Sequence, residues 1–314
     1  MILYTNIALF LLGIISVLGN GFILLVIGRY KKLRADLCNL LISILAIADF
    51  GSGLGCLDRG LGELIFVIFD YYEYTKGECL LLGFMSLFSV HMSQLITAVI
   101  AFDRLDAVQN PFGYATKSKA KRATTILVLI VAYSLFGMGI AFIGVDLSEH
   151  PETCATGSCV LDLYAAYWAS FATIVAIFVF YGYLRTTLVL RRKLITVNSS
   201  MERRELKRQK AVFKTISLVL LVYGLSWCVP NFLLIIVTVM GNQTGIGLVS
   251  SLIAIGTGIH SSCNVFIYAL KHKEIGAHMR QFIGKSGPGG VSPAQQPQSQ
   301  LFRRSTDDNS QRKL

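Results

Sequence analysis

Bond-making chemistry needs nucleophiles, bases or metal ligands at defined spacings, and this chain does not offer them. Its five histidines, at 91, 150, 260, 272 and 278, form no metal-ligand spacing. No nucleophile–base set is recognisable either, so an enzyme is not expected. What the sequence offers is single polar residues set into long apolar runs: Asn20, Asp49, Ser93, the adjacent pair Asp103-Arg104, and Asn264. Stripping water from such groups is costly unless partners are supplied. For Asp103-Arg104, either the run is a membrane helix leaving the bilayer or the charges have a task.

The elements that must position them are long and apolar. Seven runs, roughly 4–28, 38–64, 79–103, 123–146, 164–190, 211–240 and 247–270, are long enough to cross about 30 Å of hydrocarbon at about 1.5 Å per residue. Asp49, Asp58 and Arg59 interrupt the second. The chain is 54% hydrophobic and only 15% charged, where a soluble domain is nearer about a quarter charged. The loops are short, which predicts one all-α membrane bundle over residues 1–285. The tail 286–314, rich in Gly, Pro, Gln and Ser, is expected to be disordered.

The net charge of +11 invites a nucleic-acid reading, and its distribution argues against one. Of 29 Lys and Arg, 27 fall at 29–34, 104–122, 185–214 and after residue 270, leaving Arg59 and Lys76 for the other side. With seven spans, that asymmetry predicts an outside N-terminus and a cytoplasmic C-terminus, with help from anionic lipid headgroups. The outer ends carry Asp58, Glu63, Asp70, Glu73, Glu78, Asp146, Glu149, Glu152 and Asp162. These serve loop solubility or draw in a cationic ligand. Cys79 opens span three, while Cys154 and Cys159 share the loop after span four. On an oxidising side, Cys79 is expected to pair with one of the two. Asn242-Gln-Thr is the outward-facing glycosylation sequon, close to the membrane.

Gly19-Asn20, Leu45-Ala46-Ile47-Ala48-Asp49, Asp103-Arg104, Trp227-Cys228-Val229-Pro230 and Asn264-Val265-Phe266-Ile267-Tyr268 fall one per span. In that order, with Cys79 ahead of Arg104, they resemble the signatures of rhodopsin-like (class A) G-protein-coupled receptors over residues 4 to about 283. The resemblance implies that Asp103 holds Arg104 at rest and that freed Arg104 packs against a heterotrimeric G protein. It implies that Phe112, after Pro111, inserts into the G protein. It makes Asn20, Asp49, Ser93, Trp227, Pro230, Asn264 and Tyr268 an activation network. Asp49 and Ser93 would belong to a sodium pocket, the one cofactor expected, as an allosteric modulator. A plain structural network explains the same polar residues.

The sequence departs from that pattern in several places. Leu105 follows the Asp-Arg pair, Val265 replaces a Pro, and His260 stands where Asn is frequent. Trp227 lies three residues before Pro230 instead of two, with Cys228 in its place, and Gln209 and Lys210 replace an acid at the start of span six. A loosely held resting state and ligand-independent signalling are expected. After span seven, Ile275, Met279, Phe282 and Ile283 mark one face of an amphipathic helix on the inner leaflet. Arg303-Arg304-Ser305-Thr306 in the tail offers phosphorylation and arrestin recruitment.

Ser86 occupies the place of the acid that anchors amines in the family, so an amine ligand is not expected, and span seven lacks a Lys for retinal. The expected pocket lies near Ser86, Val90, Trp168, Phe171, Trp227, Asn231 and Phe232, and its apolar make-up suits a small, moderately polar extracellular molecule. The short N-terminus, the Asp-Arg-Leu variant and Val265 look like nematode serpentine chemosensory receptors. That implies a plasma-membrane chemoreceptor, in sensory-neuron cilia. The alternatives are a receptor for a basic neuropeptide and, from another class, a transporter or channel, for which no convincing internal repeat is present.

Overall fold

The structure is a computed structural model describing residues 2–71, 73–110, 113–114, 118–151, 154–196, 200–241 and 243–284. Among these there are no strands, and seven helices are long and apolar enough to cross a membrane. Span one is Ile2–Arg29, span two Leu37–Ile68, span three Lys76–Gln109, span four Lys119–Ile140 and span five Asp162–Thr196. Span six runs Ser200–Tyr223, a π-helical turn Gly224–Cys228, then Val229–Val239; span seven is Gln243–Lys271. Spans five and six extend past their apolar cores as basic helices.

Local chemistry sets several of these boundaries. Asp36 caps span two by accepting from the Cys38 N–H at 3.0 Å. Span three opens on a capping box, with Thr75 Oγ1 accepting from the Glu78 N–H and Glu78 Oε2 from the Thr75 N–H. Span four is shorter than its apolar run. It stops at Ile140 because the next residues bond back three positions, Ala141 to Met138 and Phe142 to Gly139, and Gly144 turns at φ 74°. Apolar character continues through this turn, so hydropathy alone overruns it.

Span three is central, packed against spans two, four and five, while span one lies against spans two and seven. Spans one and two meet backbone to backbone. A Cβ on Gly60 would sit 2.8 Å from the Asn6 carbonyl oxygen, so only glycine fits. Leu18, Leu129, Phe136, Ile177 and Leu225 point away from the bundle, an apolar exterior that suits lipid. The described residues up to Met279 form one compact unit. A short helix, Lys273–Phe282, follows span seven; Ile275 and Met279 are buried, whereas Phe282 and Ile283 are exposed.

Candidate functional site

The polar residues spaced across the spans converge in the middle of the bundle. Asp49 is buried, its Oδ2 accepting from Asn264 Nδ2 at 2.7 Å and its Oδ1 from Ser93 Oγ at 3.4 Å. Asn264 also lies 3.2 Å from His260 Nε2. Asn20 does not touch the Asp49 carboxylate. Its Nδ2 donates to the Ser16 and Ser261 carbonyls at 3.0 and 3.2 Å, and Ser16 Oγ then donates to the Asp49 carbonyl at 2.8 Å. Spans one, two, three and seven are thus tied at one depth. Tyr268, one turn beyond Asn264, is 2% exposed. Asn20 Oδ1, Ser52 Oγ and Asn264 Oδ1 are buried oxygens without a partner among the described residues. Such oxygens in so enclosed a place imply water or a small hard cation.

At one end of the bundle Asp103 and Arg104 pair directly, both almost completely buried. A residue that sequence reasoning missed completes the pair. Tyr114 accepts from Arg104 Nη2 at 2.9 Å and donates to Asp103 Oδ2 at 3.1 Å. The Arg104 guanidinium also sits 5.8 Å from the centre of the Tyr114 ring. Burial pushes the Tyr114 hydroxyl well above the usual tyrosine range, with Arg104 opposing, so it stays a donor. Arg122 braces the same corner, donating to Asp106 at 3.1 Å and lying 3.9 Å from Asp103 Oδ1. A cavity of ≈ 780 Å³, open space included, is lined here by Asp36, Arg104, Tyr114, Thr215 and His272. Pro111 and Phe112 lie outside the described residues, as does Asn242 at the other end and the tail with Ser305 and Thr306.

At the opposite end the disulfide is Cys79–Cys154; Cys159 is a buried free thiol beside it, held up to about 11 by burial. The bridge lays the loop after span four across span three. Lys76 and Gly77 N–H groups donate to the Glu149 and Leu147 carbonyls at 2.8 and 3.0 Å, and Lys76 Nζ pairs with Glu149 at 2.6 Å. Beneath this cover lies a cavity of ≈ 760 Å³, mouth included, lined by Arg59, Ser86, Val90, Tyr164, Trp168 and Leu234 among others.

Three of the seven expected pocket residues, Ser86, Val90 and Trp168, line that cavity. Trp227 and Asn231 sit behind Trp168: its Nε1 donates to Asn231 Oδ1 at 2.9 Å, and its ring meets Trp227 edge-on at 5.6 Å. Phe171 stacks on His91 at 5.1 Å, also behind the wall. Phe232 does not join them and is 64% exposed. It lies about 100° around the helix from Asn231, and Asn231 with Leu234 takes the inner face. Sequence reasoning passed over Arg59 as a site residue, recording it as an interruption of span two and an outer-side charge, and passed over Tyr164. An arginine in an apolar run was the available signal for the first.

The π-turn resolves the displaced Trp. Its wider turn takes up one residue, so Trp227 is 3% exposed while Cys228 is only half-buried. Tyr223, one turn before, donates to Gln94 Oε1 on span three at 2.6 Å and meets His260 edge-on at 5.9 Å.

Comparison with known proteins agrees with this geometry. The human neuropeptide Y receptor type 4-2 is 29% identical over 119 residues, covering 38% of this chain and 31% of its own. Dopamine receptor 2 of Caenorhabditis elegans is 26% identical over 204 residues, 60% of this chain and 22% of its own. Trace amine-associated receptor 13c of Danio rerio is 25% identical over 236 residues, 70% of this chain and 67% of its own. The chain spans about a third or less of the length of the first curated relatives it matches. Residues 13–283 match the family described as serpentine type 7TM GPCR chemoreceptor Srsx. Seven spans, the disulfide and this match over most of the chain leave one assignment: the chain belongs to the Srsx family of G-protein-coupled chemoreceptors, multi-pass plasma-membrane receptors and not enzymes.

Proposed function

We propose that this receptor binds an extracellular small molecule in the cavity under the Cys79–Cys154 cover and activates a heterotrimeric G protein at the Arg104 end. In this reading the Cys79 end and the N-terminus face outside and the C-terminus faces the cytoplasm, in accord with the distribution of Lys and Arg. The observation that carries the reading is the closed arrangement of Asp103, Arg104 and Tyr114 at the wall of the second cavity. Ligand favours the conformation in which span six swings away, Arg104 leaves Asp103, and the cleft opens. Pro111 and Phe112 then contact the G protein, and the phosphorylated tail recruits an arrestin.

The oxygen donors around Asp49 and Ser93 suit sodium, with the orphaned Ser52 and Asn264 oxygens at hand. Such an ion would neutralise the Asp49 carboxylate and stabilise the resting conformation. The family match supports a chemosensory role, and in this reading the receptor works in sensory-neuron cilia. A peptide ligand is the second reading, favoured by the neuropeptide Y and prokineticin receptors among its relatives.

The test is basal G-protein activation in cells, comparing the intact receptor with Arg104→Ala at matched surface expression. A basal signal that Arg104→Ala abolishes supports coupling through this end. Equal signals in both refute the role given to Arg104.

A further inference from the structure

Arg59 is the one charged residue among those lining the cavity under the disulfide-anchored loop. It is 7% exposed, and its Nε donates to Glu63 Oε1, one turn along span two, at 2.8 Å. A guanidinium carries five N–H donors, and this bond uses one. Its two terminal amino groups have no partner among the described residues. Tyr164 lines the same cavity from span five, is 5% exposed, and its hydroxyl also has no partner. The Tyr164 hydroxyl is therefore a buried donor without an acceptor, which is rare in folded proteins and marks a missing group, while the Arg59 amino groups, accessible and without a protein acceptor, belong to a residue lining the same cavity. The remaining walls are mainly apolar, with Leu87, Val90, Trp168 and Leu234 prominent.

The missing group must accept hydrogen bonds and tolerate positive charge beside it. A carboxylate does both, because it is acceptor-only when ionised and matches the fork of an arginine. An ammonium would meet like charge. Glu63 does not line the cavity and stays on Nε, so the amino groups remain free for a second carboxylate. The acidic loop residues, such as Asp70 and Asp146, are exposed, where salt screens them within about 10 Å.

We propose that the cavity selects a small apolar molecule ending in a carboxylate, held by the terminal amino groups of Arg59 and the Tyr164 hydroxyl. The proposal rests on the reading of this cavity as the ligand site, and it reverses the cationic preference suggested by the acidic loops.

The test is equilibrium dialysis of labelled phenylpropionate, phenylpropionamide and phenylpropylamine against the full chain in lipid nanodiscs, with empty nanodiscs subtracted. Phenylpropionate is expected to bind about 10- to 100-fold more tightly than the other two. Arg59→Gln/Glu63→Gln, which removes both charges together, should erase that preference. Tyr164→Phe removes a hydroxyl that bonds nothing in the protein, so it should weaken phenylpropionate several-fold and leave folding intact. A hydrophobic dipeptide, as free acid and as C-terminal amide, separates the sources of the carboxylate. A free acid tighter than phenylpropionate points to a peptide terminus, the reverse to a small acid, and both support the site. If the three probes bind alike and Ala165→Trp, which fills the cavity, abolishes binding, the carboxylate is wrong and the cavity stands. If Ala165→Trp changes nothing, or no probe binds saturably, both are overturned.

Discussion

Replacing Tyr114 by Phe isolates the hydroxyl that joins Arg104 to Asp103. The ring stays, and with it the 5.8 Å contact with the guanidinium; what goes is one acceptor for Arg104 at 2.9 Å and one donor to Asp103 at 3.1 Å. Hydrogen bonds to charged groups contribute about 1.5–3 kcal/mol each to the state that makes them. In the proposed function both bonds belong to the resting arrangement. Asp103 and Arg104 still touch each other, so the loss is taken as one bond's worth. That shifts the resting-to-active equilibrium by about 10- to 150-fold. A receptor that is about 1% active at rest would become about 10–60% active. The assay is basal G-protein activation at matched surface expression, alongside thermal stability of the purified receptor. Tyr114→Phe should raise the first and lower the second. Unchanged basal activity in Tyr114→Phe, in a system where Arg104→Ala silences signalling, would refute the idea that Tyr114 holds the resting state.

Other perturbations probe the remaining regions. The Cys79–Cys154 bridge spans 75 residues of chain, and a loop of that length corresponds to about 4 kcal/mol of lost unfolded-state freedom. Cys154→Ser should sharply reduce surface receptor, while Cys159→Ser should leave both the bridge, read by mass spectrometry, and expression intact. His272 Nδ1 accepts from the Ile275 N–H at 3.3 Å, and burial holds its pKa below the usual 6.5. The unfolded chain therefore binds the proton first, so His272 contributes stability at neutral pH that is lost as pH falls through about 6.5. The melting temperature of the wild type should drop more between about pH 7.5 and about pH 5.5 than that of His272→Asn, which keeps an acceptor. Equal slopes would show that His272 is not responsible. Sodium at about ten times its dissociation constant should stabilise the wild type by about 1.4 kcal/mol relative to choline. Asp49→Asn should remove the difference, and a sodium effect that survives the substitution would place the ion elsewhere.

The parts of this receptor that sequence reasoning reached are those where the membrane leaves little choice. Asp49, Ser93 and Asn264 on three spans had to find partners, and they found one another. Asp103 and Arg104, adjacent in the chain, carried their pairing in the sequence. What stayed hidden depends on three-dimensional proximity or helix phase. Cys154 and Cys159 lie on the same loop, and only the fold brings one of them to Cys79. Tyr114 lies in a helical stretch between spans three and four, and its sequence context gives no hint of Arg104. Asn20, expected in the same network, reaches Asp49 through Ser16, a link that depends on how spans one and two are set against each other.

The Trp227 position shows how a sequence departure and a structural one explain each other. In an unbroken α-helix, positions four apart advance by about 40° around the axis, so successive steps of four drift off one face. Tyr223, Trp227 and Asn231 are spaced by fours, yet all three are buried. Gly224–Cys228 forms a π-turn, whose extra residue per turn removes that drift. The one-residue offset between Trp227 and Pro230 is therefore matched by one extra residue in the helix. Trp227 reaches Trp168 on the cavity side, while Tyr223 reaches Gln94 and His260 above the Asp49 cluster. A regular helix would offset these two contacts by about 40° around the axis. The π-turn brings both into line, and it lies between the cavity under the disulfide and the polar centre.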